Sequence, residues 1–182
     1  MQTNKIDILI LIDTRVDKDN SQYLSAQARD LLGQGCYVAS HPVAPTVPMQ
    51  KSKSVGGQMI LAQPSWGGAI IKSQADRTGL GILTATTIRA ADTDILLLGT
   101  YWPIPHNNEE NSQSLTAHLR HYIKKKEKHH SDRNNPLDWI KALIEIEQAK
   151  HLKKPNNTCI LAGDFNARWY PERGGTNTPI QP

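Results

Sequence analysis

The apolar run Cys159-Ile160-Leu161-Ala162 leads straight into Gly163-Asp164-Phe165-Asn166, and the chain turns polar after it. A carboxylate and a carboxamide thus stand two residues apart at the end of what reads as a buried strand. Gly, Asp and Asn all favour turns for local backbone reasons, so a turn is one reading. A site is the other, because open α/β sheets place their chemistry beyond the carboxyl ends of strands. Two more apolar runs end in the same way: Asp13-Thr14 follows ILILI, and Tyr101 follows DILLLGT. If these strands are neighbours, two carboxylates, an amide and a phenol meet at one sheet edge. That set suits a hard divalent cation and a phosphate. Mg²⁺ takes oxygen ligands and keeps several waters, so one or two carboxylates suffice. A second carboxylate accepts a proton from water, and an amide or phenol orients a phosphoryl oxygen. Taken singly, each of these residues also reads as a turn or cap.

The elements that must position them follow from apolar runs and their punctuation. IDILILID (6–13) reads as a buried strand covered on both faces. Asn20 or Ser21 is the expected cap of a helix with Leu24, Ala28, Leu31 and Leu32 on one face, stopped by Gly33 and Gly35. CYVAS (36–40) is a second strand, and the proline-containing HPVAPTVPMQKSKSVGG a loop. GQMILA, GAIIK, GILTATTIRAA and ADTDILLLGTY are further strands, whereas the prolines of TYWPIPHNNEEN exclude regular structure. Ser112 is expected to cap a helix with Leu115, Leu119, Tyr122 and Ile123 on one face. Asn135-Pro136 opens another, with the proline at the first helical position and Leu137, Ile140, Leu143, Ile144 and Ala142 turned inward. The strand TCILA then delivers Gly163-Asp164-Phe165-Asn166. The pattern is one α/β domain over residues 1–182, without repeats or a clear linker.

The chain has 182 residues, a net charge of +4 and a pI near 9.1, which mildly favours an anionic partner but equally describes an ordinary basic protein. Mean hydropathy is −0.51, because apolar strands alternate with very polar connections. Cys36 and Cys159 read as buried strand thiols without metal-ligand spacing. No signal peptide or bilayer-length apolar run is apparent, so an intracellular protein with no membrane partner is expected. His118, His121, His129 and His130 read as solvated helix surface, as do Lys124, Lys125, Lys126 and Lys128. Packing is the default for Trp66, Trp102, Trp139 and Trp169, with base stacking an alternative for Trp169.

In order and rough spacing, DILILIDTR, TYWPIPHN and LAGDFNAR resemble the endonuclease/exonuclease/phosphatase family, which includes AP endonucleases and pancreatic-type deoxyribonucleases. The likeness is greatest to endonuclease domains of non-LTR retrotransposons, and runs from about residue 6 to 170. It implies a four-layered α/β sandwich: two packed mixed β-sheets flanked by helices, here partial. It further implies Asp13 as the metal ligand, Tyr101 and Asn166 as phosphate contacts, and Asp164 as the residue that orients or deprotonates the attacking water. Mg²⁺, or Mn²⁺ in its place, is the implied cofactor, and DNA, or alternatively RNA, the implied partner. A retroelement endonuclease would be nuclear. The family's Gly-Gly before an Ile/Leu strand is matched by Gly56 and Gly57.

Three departures qualify the resemblance. The family's Asn on a strand before the acidic motif, and its closing Asp-His pair downstream of Gly-Asp-Phe-Asn, have no counterpart in these residues. Asp13 stands where the family has Glu, drawing the carboxylate back by roughly 1.5 Å from an ion that demands near-ideal distances. A truncated domain with an exposed sheet edge is therefore expected. The alternatives to a Mg²⁺-dependent endonuclease are an inactive domain binding nucleic acid weakly and a phosphatase of the same fold. Oligomeric state is open on the sequence.

Overall fold

Seven of the apolar runs form strands, each bounded by the Gly, Pro, Asn or Asp residues that break them. The computed structural model describes residues 6–44, 55–104, 114–126 and 135–166. One sheet has the order β1 (Ile8–Ile12), β3 (Gln58–Ala62), β2 (Tyr37–His41) and is antiparallel throughout. The other is mixed, in the order β4 (Ile70–Ala75), β5 (Leu83–Ala90), β6 (Thr93–Tyr101), β7 (Thr158–Asp164), with β6 and β7 parallel. A parallel pair needs a long crossover. Here α3 (Leu115–Lys126) and α4 (Pro136–His151) supply it. The result is two packed sheets flanked by helices, as the resemblance implies, with only the second sheet mixed.

Alternation along β6 assigns its two faces. Leu96 and Leu98 pack with Leu119, Ile123, Trp139 and Ile140 of α3 and α4, forming the main core. Gly99, on the opposite face, meets the other sheet: a Cβ there would lie 2.8 Å from Gln58 Oε1 and 3.0 Å from Ile10 Cγ2. Gln58 is fully buried at this crossing, donating to Gly99 O at 3.2 Å and accepting from the Thr84 hydroxyl at 2.7 Å. An unpaired amide there would be expensive, so the bonds fix which residues face each other. Beside this bridge an apolar cleft of about 510 Å³ lies between the sheets, lined by Ile8, Ile10 and Ile12 of β1 and by Ile160 and Ala162 of β7.

Several expectations are corrected. β1 is not covered on both faces: Leu9 and Leu11 are 38% and 39% exposed. It is an edge strand, and α1 (Lys18–Leu32) packs mainly on β2. The cap of α1 is Asp17 rather than Asn20 or Ser21, its carboxylate accepting from Asn20 N at 2.8 Å. Leu31 points to solvent, and the buried face of the helix carries Ser21 and Ser25 beside Leu24, Ala28 and Leu32. Gly33 stops the helix at φ 87°, as its lack of a Cβ allows. The Asn135 cap holds, its side chain accepting from Leu137 N at 3.0 Å, whereas Ser112 lies outside the described residues. Cys36 and Cys159 are free and half-buried rather than buried.

His41 joins the sheets at their other flank. Its Nε2 lies 2.9 Å from Ser73 Oγ, which lies 3.0 Å from Thr86 Oγ1. Burial lowers the pKa of His41 below the usual 6.5, against an opposing pull from Asp76. A depressed folded-state pKa means that the unfolded chain takes up the proton first as pH falls. The stabilisation is therefore complete above the unfolded pKa of 6.5 and is lost as pH falls through the folded value. His118 adds in the same sense, since burial lowers its pKa too. We expect urea midpoints to fall between about pH 7 and pH 5, where unperturbed carboxylates are not yet protonated, and His41→Gln to flatten that slope. An equal slope in His41→Gln would refute the assignment.

Candidate active site

Asp13 ends β1 in a left-handed conformation, φ 52°. Its Oδ1 accepts from the Gly56 N–H at 2.8 Å, and its Oδ2 accepts from Nε and Nη2 of Arg15 at 3.0 and 2.9 Å. The Gly56-Gly57 pair makes this contact, with φ of 90° and 81°. Thr14 N and Arg15 N donate to Gly57 O and Gly56 O, while Gly57 N donates to Leu80 O. Two residues on, the Ile82 carbonyl accepts from Tyr101 N at 2.9 Å. The glycine loop therefore ties the end of β1 to the end of β6, across the two sheets.

Asp76 makes the 76–83 turn rigid. Its Oδ2 accepts from Ile82 N and Leu83 N at 2.7 and 3.0 Å, and its Oδ1 accepts from the Thr78 amide and hydroxyl. With its oxygens committed to the backbone, this carboxylate is a scaffold for the site.

Parallel pairing of β6 and β7 sets Tyr101 opposite Asp164. Both continue the face that bears Leu97, Gly99, Ile160 and Ala162, the face turned towards β1. Asp164 Oδ1 accepts from Asn166 N at 2.9 Å, an Asx turn. Asn166, left-handed at φ 46°, donates from Nδ2 to Trp102 O at 2.6 Å. Trp102 N donates in turn to Asp164 O at 2.8 Å, and the Trp102 ring meets Phe165 edge-on at 5.4 Å. The turn reading of this motif holds, and it leaves Asp164 exposed at the strand end.

Tyr101 records the electrostatics of the group. Its pKa is raised by burial, then by the Asp13 charge; a hydrogen bond with Asn166 and the Arg15 charge pull it back, while Asp164 raises it further. The phenol is therefore a protonated donor at neutral pH. Asp13, Tyr101, Asp164 and Asn166 are brought to one end of the sandwich, within electrostatic reach of Tyr101. Three of the five non-glycine residues with positive φ among the described residues, Asp13, Arg15 and Asn166, lie here. Such strain concentrates at functional sites.

Among the described residues no group of three or more His, Cys, Asp or Glu side chains converges as a metal cage. The donor set fits Mg²⁺ nonetheless, which one carboxylate, water and substrate oxygens can hold. His118 does not join the site. It is half-buried on α3, its Nε2 without a hydrogen-bond partner among the described residues, which corrects the expectation of solvated surface. His121 and Lys124, Lys125 and Lys126 are exposed. His129, His130, Lys128 and Trp169 lie outside the described residues. Trp139 is buried against Tyr122, and no helix among the described residues is long and apolar enough to cross a membrane. Sequence reasoning missed Arg15 and Asp76. Their only signal was position, Arg15 two residues beyond Asp13 and Asp76 before a Gly-x-Gly turn.

The family model described as the endonuclease/exonuclease/phosphatase family matches residues 1–182, and the chain belongs to this family. Enzymes of this family are typically dependent on a divalent metal. The chain is similar to solved structures of TDP2 from Caenorhabditis elegans, at 16% identity and TM-score 0.47, over 89% of this chain and 38% of that one. It is also similar to humanized D. rerio TDP2 with 14 mutations, at 12% identity and TM-score 0.42, over 89% of this chain and 53% of that one. Truncated Caenorhabditis elegans TDP2 aligns at 14% identity and TM-score 0.44, over 96% of this chain and 54% of that one. The chain thus spans between 38% and 54% of the length of these structures. No curated protein matches it significantly.

Proposed function

We propose that the chain is a Mg²⁺-dependent phosphodiesterase acting on DNA, most similar in role to a retroelement-type nicking endonuclease. One observation carries the reading: Tyr101 and Asp164 pair as the last residues of β6 and β7, on the face turned towards Asp13, which directly follows β1. Asp13 would hold the ion. A bound Mg²⁺ would neutralise charge on the phosphodiester and stabilise the leaving oxygen. Tyr101, kept protonated, donates to a non-bridging phosphate oxygen. Asn166, donating to Trp102 O and hydrogen-bonded to the Tyr101 side chain, would turn an N–H to the same phosphate when it arrives. Asp164 gives Oδ1 to its own turn and turns Oδ2 to the attacking water, orienting it and receiving its proton.

Nicking of supercoiled plasmid tests this, with Mg²⁺ or EDTA and with Asp164→Ala alongside. Nicking should require Mg²⁺ and disappear in the variant. A second reading, a non-hydrolytic domain that binds nucleic acid weakly, is favoured by the Arg15 guanidinium lying on Asp13 Oδ2. A folded protein that never nicks would select it, and nicking that survives Asp164→Ala would remove Asp164 from the mechanism.

A further inference from the structure

Asp13 is the expected metal ligand, yet one of its oxygens is already taken. Both Nε and Nη2 of Arg15 converge on Oδ2, while Oδ1 receives the Gly56 N–H. Two donors on one carboxylate oxygen leave no room for a cation in the direction they occupy. The contact is built into the turn. Arg15 is itself left-handed, φ 56°, and its N–H is fixed to Gly56 O at 2.9 Å, so residues 13 and 15 project to the same side. The Arg15 side chain is 62% exposed against 21% for Asp13, so the rest of its planar fork is open to solvent at the mouth of the site. Its charge also reaches Tyr101 on the other sheet.

We infer that Arg15 is a tethered cation that occupies Asp13 in place of the metal and, once the metal displaces it, binds the phosphate of the incoming nucleic acid. This deepens the proposed function and rests on it. The charges favour such an exchange. Asp13, Asp164 and Arg15 together carry a net negative charge, which an approaching phosphodiester would meet unfavourably. A divalent ion on Asp13 reverses that sign and frees a guanidinium whose geometry matches two phosphate oxygens. An exposed ion pair is weak, so the exchange needs no large driving force. Arg15 would then make metal and substrate binding mutually reinforcing: each removes a partner from the competing contact.

The test is Mn²⁺ binding by calorimetry, and binding of a fluorescent DNA duplex with Mn²⁺ and in EDTA, the duplex measurements in an Asp164→Asn background that slows cleavage, for the Arg15 protein, Arg15→Gln and Arg15→Lys. Arg15→Gln should bind Mn²⁺ about 2- to 5-fold more tightly, as loss of an exposed ion pair allows, and should bind the duplex more weakly with Mn²⁺ present but little differently in EDTA. Arg15→Lys, which keeps the charge without the fork, should fall between the two on both measures. A merely structural arginine would move neither in this order. Unchanged or weaker Mn²⁺ binding in Arg15→Gln, with the wild type still nicking, would overturn the role of Arg15 alone. No Mn²⁺ binding by any form, with no nicking, would overturn the metal-dependent reading and this inference with it.

Discussion

Gly56→Ala is expected to cost about 2–5 kcal/mol of stability and to disable the site as well. At φ 90° an L side chain is strained whatever the space around it, by roughly 1–2 kcal/mol. Here there is no space: the added Cβ would lie 2.1 Å from the Leu80 carbonyl oxygen. That oxygen is backbone, and it accepts from Gly57 N at 2.7 Å, so it cannot swing aside as a side chain would. Relief requires moving the 80–82 turn or the glycine loop, an overpacking penalty of about 1–3 kcal/mol more. For a chain of this size the sum is on the order of 5–20 °C in Tm. The same N–H that shifts is the one holding Asp13 Oδ1. Metal affinity should therefore fall in whatever fraction remains folded. Thermal denaturation and Mn²⁺ titration read the two effects separately, and a Tm within a degree or so of wild type would refute the account.

How far the sequence exposed this arrangement depends on what each feature is made of. Strands were legible where an apolar run met a breaker, as at Gly68 before β4 and Asp92 before β6. The likeness of the three motifs then implied two packed sheets. Which strands form edges was not legible, because Leu9 and Leu11 look the same whether or not a layer covers them. Their exposure follows from α1 packing mainly on β2. The cap of α1 was misplaced because Asp17, Asn20 and Ser21 all suit that role. Only the direction of the incoming chain selects Asp17, through its bridge to Val43.

The site divides in the same way. Asp13, Tyr101, Asp164 and Asn166 stood out because each is a polar residue at the end of an apolar run. Arg15 did not, since an exposed arginine in sequence is indistinguishable from ordinary surface charge. The Gly56 N–H is backbone and has no sequence signal of its own, although the glycine pair marks the place where backbone approaches closely. Asp76 was hidden for a related reason: its partners are main-chain groups six and seven residues on. His118 was misread because its helix is amphipathic without a clean boundary between faces, and residue 118 falls on that boundary.

Asp164→Asn should separate the turn from the chemistry. Asparagine keeps an acceptor oxygen for Asn166 N, so the Asx turn, the Asn166–Trp102 bond and the pairing with β6 survive. The side chain is exposed, so nothing in the core changes, and Tm should stay close to wild type. What disappears is the charge and the basic oxygen turned towards water. If Asp164 receives the proton, Mg²⁺-dependent nicking falls by about 10²- to 10⁴-fold, the range of general-base catalysis. Asp164→Ala removes the acceptor too, loosening Asn166, and should lose more activity than Asp164→Asn. An independent readout comes from Tyr101, whose pKa Asp164 helps to raise. Removing that charge should move its phenol titration downward, identified by the signal that Tyr101→Phe eliminates. A downward shift with full nicking in Asp164→Asn would place the carboxylate beside the phenol but outside the reaction. Asn166→Ala would then be the decisive variant, because the motif's remaining task would be to hold phosphate.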